Sequence, residues 1–416
     1  MSKNSPQPQP LLSKGPPGLP QYAYHPVFYQ TIAIPGRVEQ VRYRRSPLRR
    51  FILGARRHGR HRGWDLPANM VFDRCERASS WAAADSVLLS ESAGAFRHAA
   101  EATFEIPLTV DTVLVLSVAP QQAVLFSYGT PLSGQLDIST SSRRNNTARV
   151  VITSLFGGHK RAAVKACLMS GTDGEAGVGI LTGRGFWAAA AVMKIQLVLP
   201  EGKTPLHLKG LSVNLPHFTV DVGHLKDAVA FESAVLRTSN AAGSLTASTL
   251  TLETSNGGIS GTFNTSTHLH LSTSNAPINV SVGLTNANST AATTLNMRTS
   301  NNRLDEAVTL ATDGRFRVDG NTSNGVLALG VAGPAGAALS LGARTSNKRA
   351  EVALPDAFEG QFTVTTSQHA EDGRTVEYGR VHEGRTVNGW VYAEEAKRRR
   401  GSVLVTTSNA EAVLVV

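Results

Sequence analysis

With two cysteines in 416 residues, Cys75 and Cys167, the chain cannot carry the disulfide framework of a small stapled scaffold. Cys167, between Val164 and Leu168, reads as a small buried hydrophobe. Long apolar runs are missing too. The longest, Phe186–Met193, is eight residues and stops at Lys194, far short of the ~20 that cross a bilayer as a helix. Met1–Pro20 has no apolar core of the secretory kind. Together with the cysteine usage, these two absences favour an intracellular compartment, cytoplasmic or nuclear.

Catalytic signatures are equally scarce. The chain has no G-x-S-x-G elbow, no H-E-x-x-H and no zinc-type cysteine spacing. Gly177-Val-Gly179-Ile-Leu-Thr-Gly183-Arg-Gly185 fits neither glycine-rich phosphate pattern, and reads as a turn ahead of a strand at Phe186-Trp187. His268 and His270 fall on one face of a strand, a spacing suited to a metal pair, yet no third ligand accompanies them. The reading is of no metal, no cofactor and no catalytic residue.

What the chain does have is unevenly placed charge. The net charge is +10, of which residues 1–100 hold 15 Lys/Arg against 6 Asp/Glu, or +9. Eight prolines punctuate residues 1–35, a composition that resists ordering. Nine arginines follow without an acid between them: Arg42, Arg44, Arg45, Arg49, Arg50, Arg56, Arg57, Arg60 and Arg62. That run reads as an electrostatic tail for nucleic acid or an anionic membrane, or as a solvated linker. A short helix is expected in the Ala-rich stretch 74–102. The division is therefore 1–101 as a disordered Pro- and Arg-rich region and 102–230 as a β-rich N-terminal part or cap. Residues 231–416 are then a repeat domain.

The repeat is a Thr-Ser-Asn triplet, starting at 238, 254, 273, 299, 322, 345 and 407. The steps are 16, 19, 26, 23, 23 and 62 residues. Allowing degraded copies at Thr366-Ser-Gln368 and Thr386-Val-Asn388 divides the last gap into pieces of about 21. Each triplet separates two stretches of alternating apolar and small polar residues, such as Leu250, Leu252 and Ile278, Val280, Val282. Alternation at period two is that of a half-buried strand, and Asn tolerates the backbone angles of turns. Turns are accordingly expected at Asn240, Asn256, Asn275, Asn301, Asn324, Asn347, Asn388 and Asn409, with a hydrogen-bonded asparagine ladder between units. One such unit cannot bury its own apolar face, so units must stack. The fold class is all-β, a parallel β-solenoid of about nine rungs of ~21 residues with a β-rich N-terminal part; the alternative is an antiparallel β-sandwich.

Parallel β-helices can host acid pairs that cleave polysaccharides. Here Asp305, Glu306, Asp313, Asp319 and Asp356 are the candidates, with 305, 306 and 313 expected in a loop. No carboxylate recurs in step with the triplet.

Several pieces together resemble a fungal family of Thr-Ser-Asn-repeat proteins, a domain of unknown function similar to bacterial adhesin-like β-solenoids. They are Ala102-Thr-Phe-Glu-Ile-Pro107, Gly177-Val-Gly-Ile180, Leu206-His-Leu-Lys-Gly-Leu211, Asn214-Leu-Pro-His-Phe218, Val222-Gly-His-Leu-Lys-Asp227 and the stretch from Thr254 to Asn264. The resemblance covers residues 100–416 and implies a parallel β-solenoid without catalytic residues. The resulting expectation is a non-enzymatic scaffold that binds an extended glycan or peptide on a flat Thr/Ser/Asn-rich face. The alternatives are anionic docking through the arginine tail and a carbohydrate-active enzyme.

Overall fold

The structure is a computed structural model. It describes residues 98–118, 132–142, 146–156, 164–170, 174–182, 191–225, 228–286, 290–366, 370–372, 377–382, 386–392, 397 and 399–415. The expected helix over 74–102 and the arginine run lie outside them, apart from the last residues of the former, which begin the strand His98–Pro107.

The fold is an all-β solenoid. Each rung has one strand before the triplet corner and one after it. The strand pairs stack in parallel: Ile278–Leu284 on Leu304–Leu310, and Thr293–Arg298 on Gly314–Asn321. These parallel ladders rule out the sandwich. Alternation puts Leu250, Leu269, Leu295, Val318, Leu341 and Val403 in one inward column, every one buried. Ile259, Ile278, Leu304, Leu327, Ala350 and Ala412 form a second column from the strands after the corner. The two columns belong to one apolar core, and each buried Leu or Ile contributes about 1.5–3 kcal/mol.

Spatial order departs from chain order at both ends. Thr112–Val118 lies between Glu175–Thr182 and Leu206–His224, parallel to both. Ser133–Ser141 lies likewise between Ala191–Pro200 and Leu206–His224. At the other end Gly401–Thr407 is inserted between Ala337–Thr345 and Gly360–Thr365, and Ala412–Val415 between Ala350–Ala353 and Ala370–Asp372. The chain therefore leaves a rung-sized gap and fills it with a later or earlier segment.

Antiparallel strands close the stack beyond these insertions. Thr147–Phe156 and then His98–Pro107 cover Ala191–Pro200, while Val164–Ser170 covers Glu175–Thr182. Thr386–Val391 and then Glu377–His382 cover Gly360–Thr365. Reversal of strand direction ends the parallel register, which keeps the stack from offering another rung-shaped edge.

Four local expectations change. Gly177 and Gly179 lie within the strand Glu175–Thr182 and not in a turn, because a Cβ at 177 would meet the Leu114 carbonyl oxygen at 2.0 Å. Asp305 and Glu306 are strand residues of Leu304–Leu310, not loop residues. Asn388 sits inside the antiparallel strand Thr386–Val391, opposite Thr363, and marks no corner. Cys167 is buried and disulfide-bonded; the other cysteine, Cys75, lies outside the described residues.

Candidate binding surface

The three residues of the triplet do three different jobs. Each Thr is buried, from 1% exposed at Thr299 to 8% at Thr254, because it ends the inward face of its strand. Thr254 and Thr407 donate to the Gly257 and Ala410 carbonyls of their own corners at 2.6 Å and 2.5 Å, whereas four others reach back to the residue after the Asn of the preceding rung. Thr273 donates to the Gly257 carbonyl at 3.2 Å, Thr299 to Ala276 at 3.0 Å, Thr322 to Asn302 at 3.1 Å and Thr345 to Gly325 at 3.0 Å. A buried hydroxyl left unbonded would cost about 1–3 kcal/mol, so the Thr both packs and satisfies a corner carbonyl.

The Ser carbonyl carries the backbone between corners. Ser300 N and Asn301 N both donate to Ser274 O at 3.2 Å, and Asn347 N reaches Ser323 O at 3.0 Å. The Asn side chains complete the set. Asn275 donates through Nδ2 to Asn256 Oδ1 at 2.8 Å, Asn301 to Asn275 at 2.7 Å, Asn324 to Asn301 at 2.7 Å, Asn347 to Asn324 at 2.6 Å and Asn409 to Asn347 at 2.7 Å. These six amides are exposed and form one ridge. Asn240 lies in the continuous strand Val229–Thr254, opposite Thr219, and precedes the ridge.

Outward residues line up as strictly as inward ones. After the corner the columns carry small side chains: Ser244, Thr262, Ser281, Ala307, Gly330, and beside them Thr246, Asn264, Gly283, Thr309. Before the corner they carry His268, Thr294, Arg317, Ser340, then His270, Asn296, Asp319, Gly342. A third column, nearest the ridge, holds Glu253, Ser272, Arg298, Asn321 and Arg344.

His268 and His270 point to one face, their rings parallel and 6.5 Å apart. His268 Nδ1 meets Thr294 Oγ1 at 2.5 Å. Burial lowers His270 below its ordinary 6.5, the Glu253 carboxylate opposes that, and His268 and Arg298 add to the lowering. Among the described residues no group of three metal-ligating side chains forms.

The acids do not converge. Asp305 pairs with Arg303 at 2.8 Å on one face, and Asp319 with Arg317 at 2.8 Å on the other. Glu306 faces inward between Val280 and Leu329, 5% exposed. Neither of its carboxylate oxygens has a partner, and burial pushes it well above the ordinary carboxylate range. Asp313 and Asp356 lie outside the strands, in exposed turns.

Sequence reasoning missed the basic residues at the corners. Arg237, Arg298 and Arg344 each stand immediately before a Thr-Ser-Asn triplet, and this R-T-S-N pattern was the available signal.

Residues 248–374 match a family described as a domain of unknown function, DUF7330. No curated protein matches. Among solved structures the chain is similar to a "putative cell adhesion protein" from Clostridium sporogenes at 10% identity, over 76% of this chain and 98% of that one, with a TM-score of 0.16.

Proposed function

We propose that the protein is a non-enzymatic binding scaffold that presents registered columns of side chains to an extended ligand. One observation carries this reading. From Ile278–Leu284 to Ala350–Ala353 the ladders run without a register shift, so equivalent outward atoms repeat at about 4.8 Å. A polymer lying along the stack meets outward positions in fixed register at every rung, and along the ridge the same asparagine amide. The scattered acids support the same view, because glycoside cleavage needs two carboxyl groups facing one bond. Among the described residues no helix is long and apolar enough to cross a membrane.

Binding of the full-length protein to arrays of polysaccharides and of peptides tests the proposal. Retention of at least one polymer, competed by long but not short fragments of it, is the expected outcome. Uniform blanks across both arrays overturn it.

A second reading rests on the nine arginines between 42 and 62, which lie outside the described residues. In it the tail docks duplex nucleic acid or anionic membrane and the solenoid is carried along. Binding would then vanish when the nine arginines are replaced, and would fall by about 0.9 log unit per log unit of salt for each phosphate contact.

A further inference from the structure

We infer that the Thr-Ser-Asn ridge between Arg298 and Lys348 is the track for an extended acidic glycan, whose anionic groups meet Arg298, Arg344 and Lys348. The inference rests on the binding-scaffold reading and names the ligand class and the surface.

Arg298, Asn321 and Arg344 share one outward column beside the ridge, which sets the backbones of the two arginines two rungs apart, about 9.6 Å. Lys348 follows Asn347 directly, on the opposite flank of the corner. All three are exposed. The acids around them are already engaged: Glu253 with Arg237 at 2.9 Å, Asp305 with Arg303 at 2.8 Å, Asp319 with Arg317 at 2.8 Å and Glu351 with Arg349 at 3.5 Å. Among the described residues Arg298, Arg344 and Lys348 have no carboxylate within 4.0 Å. Three uncompensated cations therefore line one corner of a solenoid whose body, residues 101–416, carries a net charge of only +1.

The ridge between these cations adds neutral donors. Each ladder amide gives one Nδ2–H to the rung before it, and a carboxamide has two. The second N–H of Asn301, Asn324 and Asn347 is left for solvent or ligand, repeated at rung spacing. A row of N–H donors flanked by guanidinium groups suits carboxylate or sulfate oxygens, which arginine grips with two parallel hydrogen bonds. Nucleic acid fits less well. Single strands are held largely by stacking on aromatic rings, and among the described residues the exposed large apolar side chains are Val192, Val326 and Val415, none of them aromatic.

The test uses the full-length protein and immobilised polygalacturonate, dextran sulfate, neutral dextran and oligothymidine. It compares the wild type with the triple variant Arg298→Gln, Arg344→Gln, Lys348→Gln and with a variant whose nine arginines between 42 and 62 are glutamines. The expected result is binding to polygalacturonate, dextran sulfate or both. In the triple variant this affinity falls about tenfold or more with an unchanged melting temperature, and the tail variant retains it. Equal affinity in the triple variant, loss only in the tail variant, or tighter binding to oligothymidine each overturns the inference. Binding confined to neutral dextran would sink this inference while leaving the scaffold reading in place. No binding to any polymer would remove both.

Discussion

Asn409 donates its side-chain amide to Asn347 Oδ1 across 2.7 Å, although 62 residues separate them in the chain. The two are adjacent rungs. The interval in the triplet series therefore holds one degraded repeat and an excursion: the chain steps over one rung position, builds Gly360–Thr365 and Ala370–Asp372 on either side of the copy that starts at Thr366, adds an antiparallel cover that contains Asn388, and returns to fill the gap with Gly401–Thr407. Removing residues 401–416 should leave Ala337–Thr345 and Gly360–Thr365 unpaired on facing edges. We expect the truncated protein to lose its single cooperative melting transition, which calorimetry would show; an unchanged transition would contradict the inserted rung.

The ladder predicts a position dependence along the ridge. Asn301 makes two ladder bonds, one given and one received, whereas Asn256 receives one. At about 0.5–1.5 kcal/mol for each bond, Asn301→Ala should cost roughly twice as much stability as Asn256→Ala in urea unfolding. Equal losses would mean that the amides are solvated rather than coupled.

The triplet threonines should tolerate neither loss of the hydroxyl nor loss of the methyl. Thr299 is 1% exposed and its hydroxyl satisfies the Ala276 carbonyl at 3.0 Å. Thr299→Val keeps the shape and removes the bond, costing about 1 kcal/mol or more; Thr299→Ala also opens a cavity and should cost more. Denaturant midpoints for the two variants check the order.

Two glycines should behave oppositely. Gly261 has φ +127° and a Cβ there would lie 1.8 Å from the Gly243 carbonyl oxygen, so Gly261→Ala should destabilise by about 3 kcal/mol or prevent folding. Gly320 faces the core with Leu327, Leu304 and Met297 at 3.6–3.9 Å from the same virtual atom. Gly320→Ala fills ordinary contact space and should stabilise by about 0.5–1 kcal/mol. Thermal unfolding of both variants decides it.

Glu306 makes stability depend on pH. Desolvation raises its folded pKa well above the ordinary 4.5, so the folded protein holds a proton that the unfolded chain gives up. The contribution of Glu306 to stability is thus most favourable below about pH 4.5 and declines as pH rises from there towards the folded pKa, by about 1.4 kcal/mol per pH unit. Glu306→Leu, matching its neighbour Leu329 in the column, removes that decline. The melting temperature of the variant should exceed the wild type's at neutral pH by much more than at pH ~4. A difference independent of pH would show that Glu306 does not change its protonation on unfolding.

Much of the architecture could be read from local pattern. Leu250 and Leu252, Leu269 and Leu271 alternate with polar residues, and alternation translates directly into an inward and an outward face. The recurrence of Thr-Ser-Asn says that these faces must stack, because no single unit has a core of its own. The surface was less legible. Arg298 and Arg344 are ordinary charged residues 46 positions apart in sequence; only rung-to-rung register places them in one column.

The sequence by itself determined the alternating strands, the corners from Asn256 to Asn347 and at Asn409, and the demand for stacking, since period-two alternation and turn chemistry act over a few residues. Tertiary structure alone decided which rung lies beside which. Backbone pairing is indifferent to chain distance once loop closure is overcome, and that cost grows only slowly with loop length. Gly401–Thr407 could therefore settle between Ala337–Thr345 and Gly360–Thr365. The same indifference to residue type along a ladder put Glu306 between Val280 and Leu329, a carboxyl in the core that no local pattern announces.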